Sequence, residues 1–171
     1  MRKIFALLVS TSVLAGCATY KPTIPDGYTG PRASIKDTVK VYSVSKADFF
    51  YVSHVNSNEI ENSRIKTRIE NYGRGMYMNP VVLQHKIPAQ SATLSIVGRT
   101  EYAAPILALT NPVYEVKGVV DFTPENNKTY AVRGELGRDY SVIWVEEEGS
   151  NIVVGKKIEV KGSAELGIFE K

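Results

Sequence analysis

Cysteine is almost missing from this chain: its 171 residues include one, Cys17. A disulfide within one chain is therefore excluded. Histidine is nearly as scarce, with His54 and His85 about 30 residues apart. A zinc site needs three or four ligands at recognisable spacing, which these residues do not supply. Charge of one sign is also lacking. The 21 Lys and Arg face 18 Asp and Glu, and no cluster of cations marks a nucleic-acid surface. No repeat is evident, which argues against a propeller or solenoid. Long apolar runs are absent too. The longest, from Ile4 to Leu14, is shorter than the roughly 20 residues a membrane-spanning helix needs.

That run has a context. Arg2 and Lys3 precede it, small residues follow it, and polar sequence resumes at Thr19. A charged start, an apolar middle and a small-residue end make a secretory signal peptide. Its last four residues, Leu14-Ala15-Gly16-Cys17, resemble the lipobox of bacterial lipoproteins. The resemblance covers only the N-terminus. It implies cleavage between Gly16 and Cys17 and a diacylglyceryl thioether on the Cys17 sulfur. A thiolate is the strong side-chain nucleophile near neutral pH, and Ala15 and Gly16 leave it accessible. Stable anchoring takes two lipid signals, which two or three acyl chains on Cys17 would provide. By the same resemblance, Ala18 in the position after the cysteine favours the outer membrane of a Gram-negative cell.

Without residues 1–16 the chain keeps 19 cations and 18 acids, a formal charge of +1. It also keeps 155 of the 171 residues, enough for one domain with its own core. Residues 17–34 contain Pro22, Pro25, Pro31, Gly27 and Gly30 and read as an extended tether, reaching roughly 45 Å. The alternative is that Tyr28 to Pro31 pack along the domain edge.

From residue 35 to 171 the apolar period is mostly two. "IKDTVKVYSV" alternates, with Val39 and Val41 on one side, and "ADFFYVSHV" is a denser apolar strand. A turn at Asn56-Ser57-Asn58 leads toward a return strand. "NSRIKTRIENYG" breaks the rhythm: Ile65, Ile69 and Tyr72 fall at helical spacing, Asn62 or Ser63 can cap the start, and Gly73 fits the end. A short helix of about two to three turns must dock through that stripe, leaving Arg64, Lys66 and Arg68 in solvent. Further strand signals follow in "MYMNPVVLQHKI", where Pro80 marks an edge or bulge, in "ATLSIVGR" and in the apolar "APILAL". Two hairpins are expected at the end. In one, Val116, Val120 and Phe122 face Tyr130, Val132 and Leu136; in the other, "YSVIWVEEE" turns into "IVVGKKIEV".

About seven to nine short strands with frequent turns predict a single-domain antiparallel β-sandwich with one short helix, and a closed β-barrel is the alternative. The stretch from "KIPAQSATLSIVG" to "VVDFTPENNKTYAVRGEL" is similar in strand pattern to immunoglobulin-like or transthyretin-like domains of small lipoproteins. That similarity bears on fold alone.

Catalytic chemistry is thin. His54 and Asp48 could orient one another, but no serine elbow accompanies them. Glu146, Glu147 and Glu148 sit at a predicted hairpin end and read as a solvated turn. "GRG" at 73–75 lacks the spacing of a phosphate loop, and Asn127-Lys128-Thr129 reads as turn chemistry. The least ordinary stretch is 71–80, where Tyr72, Arg74, Met76, Tyr77 and Met78 surround two glycines. These types suit a partner-contact patch; a helix cap leading into a core strand is the rival reading. The expectation is a non-enzymatic binding or assembly module on the outer membrane, held through lipid on Cys17, with an envelope protein or glycan as partner. No cofactor, metal or nucleic acid is expected. An enzyme acting on envelope polymers and a subunit of a secretion or surface assembly are the alternatives.

Overall fold

The computed structural model describes residues 20–171; the expected signal peptide, Cys17 and Ala18 lie outside the described residues. Among the described residues ten strands form two sheets. The first sheet has the order β10 (Val153–Lys161), β9 (Tyr140–Glu147), β8 (Thr129–Glu135), β1 (Arg32–Lys36), β5 (Gln84–Pro88). The second runs β2 (Thr38–Ser43), β3 (Lys46–Val55), β6 (Ala92–Tyr102), β7 (Glu115–Phe122), with β4 (Asn58–Glu59) beside β3. The chain is a β-sandwich, and the described strands do not close into a barrel. All pairings are antiparallel except β1 with β8, which run parallel from Ser34 opposite Thr129.

The core lies between the sheets. Phe50, Val52, Leu94, Ile96, Val116 and Val120 from the second sheet meet Ile35, Ile87, Val132, Ile143 and Val145 from the first. The Phe50 ring fills a slot made by two glycines: a Cβ on Gly98 or on Gly134 would fall within 3.0 Å of it. β3 is buried on its other face as well, where Phe49 and Tyr51 pack with Ala47 and Met78. This explains why β3 is dense with apolar residues rather than alternating.

Several local expectations are corrected. "IKDTVKVYSV" is not one strand. The chain switches sheets at Asp37, between β1 and β2. Asp37 is buried, and its carboxylate accepts the N–H groups of Val52 at 3.1 Å and Ser63 at 2.8 Å. A charged residue inside an alternating stretch is the signal, since a carboxylate can satisfy backbone donors at a corner where the ladder ends. "APILAL" forms a second short helix, α2 (Pro105–Thr110), with Pro105 in its first turn. β7 and β8 do not form a hairpin: they belong to opposite sheets, and Phe122 meets Tyr130 edge to face across the core at 4.7 Å between ring centroids. The facing of side chains was legible, but it arises from packing between sheets rather than from a ladder. β9 and β10 do form a hairpin, with an irregularity between Val154 and Ile158.

The described part of the expected tether is bonded to the domain. Lys21 N–H donates to the Glu59 carbonyl at 3.1 Å, Thr23 Oγ1 donates to the Lys86 carbonyl at 2.6 Å, and Ala89 N–H donates to the Pro31 carbonyl at 2.8 Å. β1 itself starts at Arg32, ahead of the boundary expected at residue 35.

Candidate functional site

Helix α1 (Ser63–Glu70) starts where the sequence indicates, with the Asn62 side chain accepting the Ile65 N–H at 3.1 Å. It does not dock through the expected stripe, of which Ile65 alone is half-buried. Ile69 and Tyr72 are 60% and 94% exposed. The buried residues of the helix are Ser63 and Thr67, whose hydroxyls accept the N–H groups of Leu83 and Val81 at 2.8 Å each. Met78 N–H reaches the Val44 carbonyl at 2.7 Å. These bonds explain why "MYMNPVV" is not a strand: its donors are met by side chains and by a turn, and only residues 84–88 form β5.

The loop after α1 is held by Asn71. Its amide donates to the carbonyls of Thr67 at 2.7 Å and Asn79 at 2.9 Å, and its oxygen accepts the Asn79 N–H at 2.8 Å. Between those clamps Gly73 and Gly75 adopt φ of 81° and 66°, a region costly for any residue with a Cβ. The predicted contact patch therefore divides. Tyr72, Arg74, Met76 and Tyr77 project into solvent, while Met78 turns inward against Phe49.

Beside this loop lies a cleft of about 610 Å³, within the size range of ligand sites. α1 and the loop make one wall, through Arg64, Arg68 and Tyr72. Residues 99–104 make the floor, and α2 with Leu109 makes the far wall. The patch contributes Tyr72 and Met78; Arg74, Met76 and Tyr77 flank the cleft without lining it. Sequence reasoning missed the charged lining. Arg64 and Arg68, expected in solvent, both turn to Glu101 on β6, with Arg64 Nε donating to Glu101 Oε2 and Arg68 Nε 3.8 Å from Oε1. Lys66 alone pairs along the outside, with Glu61 and Glu70. The i,i+4 spacing of Arg64 and Arg68 was the available signal, since it puts both on one helix face. The Arg64 guanidinium also lies beside the buried Tyr51 phenol. Burial pushes the Tyr51 phenol up, against the pull of Arg64. Arg99 donates to Glu115 and to the Glu170 carbonyl, and Lys171 donates to the Asn111 carbonyl at 2.8 Å. The lining thus carries four cations and one carboxylate.

The other candidates lie apart. His54 is on β3 and His85 on β5, in opposite sheets, and neither lines this cleft. The His54 Nδ1 is 3.0 Å from Ser53 Oγ. Burial lowers the affinity of His85 for a proton. Asp48 does not orient His54. Its oxygens accept the hydroxyls of Tyr42 at 2.8 Å and Thr100 at 2.7 Å, and it lies six steps along β3 from His54, about 20 Å. Burial and the Asp48 carboxylate push the Tyr42 phenol up. Among the described residues no three His, Cys, Asp or Glu side chains group for a metal.

The acidic run is not a free turn. Glu146 is buried on β9, holding Arg133 Nε at 3.0 Å and Trp144 Nε1 at 2.8 Å. Glu147 binds Lys128, and Glu148 binds Lys36 at 3.2 Å. Asn127 does sit in a turn, at φ 61°, where its N–H caps the Arg32 carbonyl. Comparison with protein-family models, with curated proteins and with solved structures finds no match.

Proposed function

We propose that the chain is an outer-membrane-anchored lipoprotein whose β-sandwich is a non-enzymatic binding or assembly module of the cell envelope. The address rests on Leu14-Ala15-Gly16-Cys17 closing a signal peptide. The binding role is carried by one observation: an open cleft flanked by exposed Ile69, Tyr72, Met76 and Tyr77. Exposed apolar side chains gathered at one place mark contact sites, and Tyr and Arg dominate interface hot spots. The separation of His54, His85 and Asp48 favours binding over hydrolysis. No helix among the described residues is long and apolar enough to cross a membrane, so attachment falls to Cys17 in this reading.

A second reading, a subunit of a surface assembly, has its own support. β2 is the outer strand of its sheet and presents Val41, Tyr42 and, just beyond it, Val44 to solvent. An open strand edge with apolar side chains can pair with another chain.

Two experiments test the proposal. Cys17→Ser should block acylation and release the protein from the membrane fraction; a variant that stayed membrane-bound and was processed normally would overturn the anchor. A photo-crosslinking residue at position 77 should trap a specific partner in cells. The same probe at Val41 should trap nothing if the cleft is the contact site, and recovery at position 41 alone would favour the strand-edge reading.

A further inference from the structure

We propose that the anchored protein stands on one end of its sandwich, with the pole formed by residues 22–25, 55–58 and 89–92 against the bilayer and the cleft opening at the opposite pole. This rests on the lipid-anchor reading of Cys17.

Three residues separate Cys17 from Lys21, whose backbone is already bonded to Glu59. However they are arranged, the four steps from Cys17 to Lys21 reach at most about 14 Å. Pro22, Thr23 and Pro25 then pack beside Val55, Asn56, Asn58, Pro88 and Ala92 around a small cavity of about 60 Å³. The lipid would therefore be clamped close to this pole, not held on the long leash that residues 17–34 suggested.

β6 measures the distance to the cleft. It starts at Ala92 in this pole and ends at Tyr102 in the cleft lining. Ten steps of a strand cover about 33 Å, more than twice the reach of the short link. The cleft is thus presented to the aqueous side, and whatever fills it approaches from there.

The pole also suits a headgroup layer. Asn56, Ser57, Asn58, Gln90 and Ser91 are exposed and uncharged. They can exchange hydrogen bonds with headgroups without the cost of stripping water from a charge. The turn is rigid: Asn56 N–H donates to the Thr93 carbonyl and Asn56 Oδ1 accepts the Thr93 N–H, each at 2.9 Å. The rival orientation is a tipped domain. The far pole carries Phe169, fully exposed, in a turn tied to Arg99 through the Glu170 carbonyl, and such a residue could enter a bilayer within its reach.

The test uses the mature acylated protein in vesicles of phosphatidylethanolamine and phosphatidylglycerol that carry a headgroup nitroxide quencher. Fluorophores are placed through Gln90→Cys, Tyr77→Cys or Phe169→Cys, all exposed positions. The label at position 90 should lose most of its fluorescence, while labels at 77 and 169 keep theirs. Equal quenching at 90 and 77, or stronger quenching at 169, would overturn the orientation while leaving the anchor intact. Failure of the acylated protein to sediment with the vesicles would instead overturn the anchor, and the orientation with it.

Discussion

On the inner face of β3, Phe50 and Val52 meet the opposite sheet; on the outer face, Phe49 and Tyr51 meet Met78 and Arg64. Both faces are buried, but they are closed differently. The inner face is sealed by strands whose backbones bond to their neighbours along their length. The outer face is covered by one short helix and a loop held mainly by side-chain bonds from Asn71, Thr67 and Ser63, with one backbone bond from Met78 to Val44. A sheet cannot move one residue without disturbing a ladder. A loop pinned at a few points can, so the adaptable surface sits on the outer face, above a rigid floor.

The sharpest break in this comparison is Phe50→Ala. Its ring lies between Gly98 and Gly134, and neither glycine has a side chain to fill the space it would leave. The expected loss is about 3–5 kcal/mol by urea denaturation. A loss under about 1 kcal/mol would show that the inner face is not the rigid one.

Asp37 links the two faces, because its carboxylate holds Val52 on β3 and Ser63 on α1. Burial raises its pKa from 3.8 to about 6. The folded state thus holds this proton more tightly than the unfolded chain does. Stability from this group is lowest above pH 6, rises as pH falls through 6, and levels off below about 3.8. The gain is at most about 3 kcal/mol. Denaturation across pH 4–7 should show this component in the wild type and not in Asp37→Asn; parallel pH profiles for the two proteins would refute it.

Met78→Ala probes the outer cover alone. It should cost about 2 kcal/mol, less than Phe50→Ala, because the loop can settle onto Phe49. Hydrogen exchange should quicken at Val81 and Leu83 but not along β6; uniform quickening would erase the distinction between the faces. The smallest effect belongs to Tyr72→Ala and Tyr77→Ala. Each should shift stability by less than about 0.5 kcal/mol while reducing partner recovery. A larger shift would mean these tyrosines serve the fold.

Legibility followed the range of the interactions. The start of α1 at Asn62 or Ser63 and the β9–β10 hairpin depend on neighbours in sequence, and they were readable; the expected seven to nine strands fell short of the ten observed, because Asp37 splits one expected strand in two. The docking face of α1 was not. Ile65, Ile69 and Tyr72 form the better apolar stripe, yet Ser63 and Thr67 are buried, because the backbone of residues 81–83 needed acceptors and hydroxyls supplied them. The β7–β8 pairing failed for a related reason. Two strands that face each other across a core and two that share a ladder have the same pattern of apolar residues. Of the candidate site, Tyr72 and Met78 were singled out from residue type alone, whereas Glu101 could not be, since nothing in "GRTEY" shows that Arg64 will reach it.

The order of residues by itself determined the period-two patterning, hence a mainly β domain, and it determined the motif around Cys17, whose chemistry is local. Only the tertiary structure decided which strands share a sheet, where Asp37 turns the chain from one sheet to the other, and that Arg64 and Arg68 converge with residues 99–104 and α2 on one cleft. The physical reason is that a backbone period is set within a few residues, while a cleft is set by which distant donors and acceptors satisfy one another once water has left.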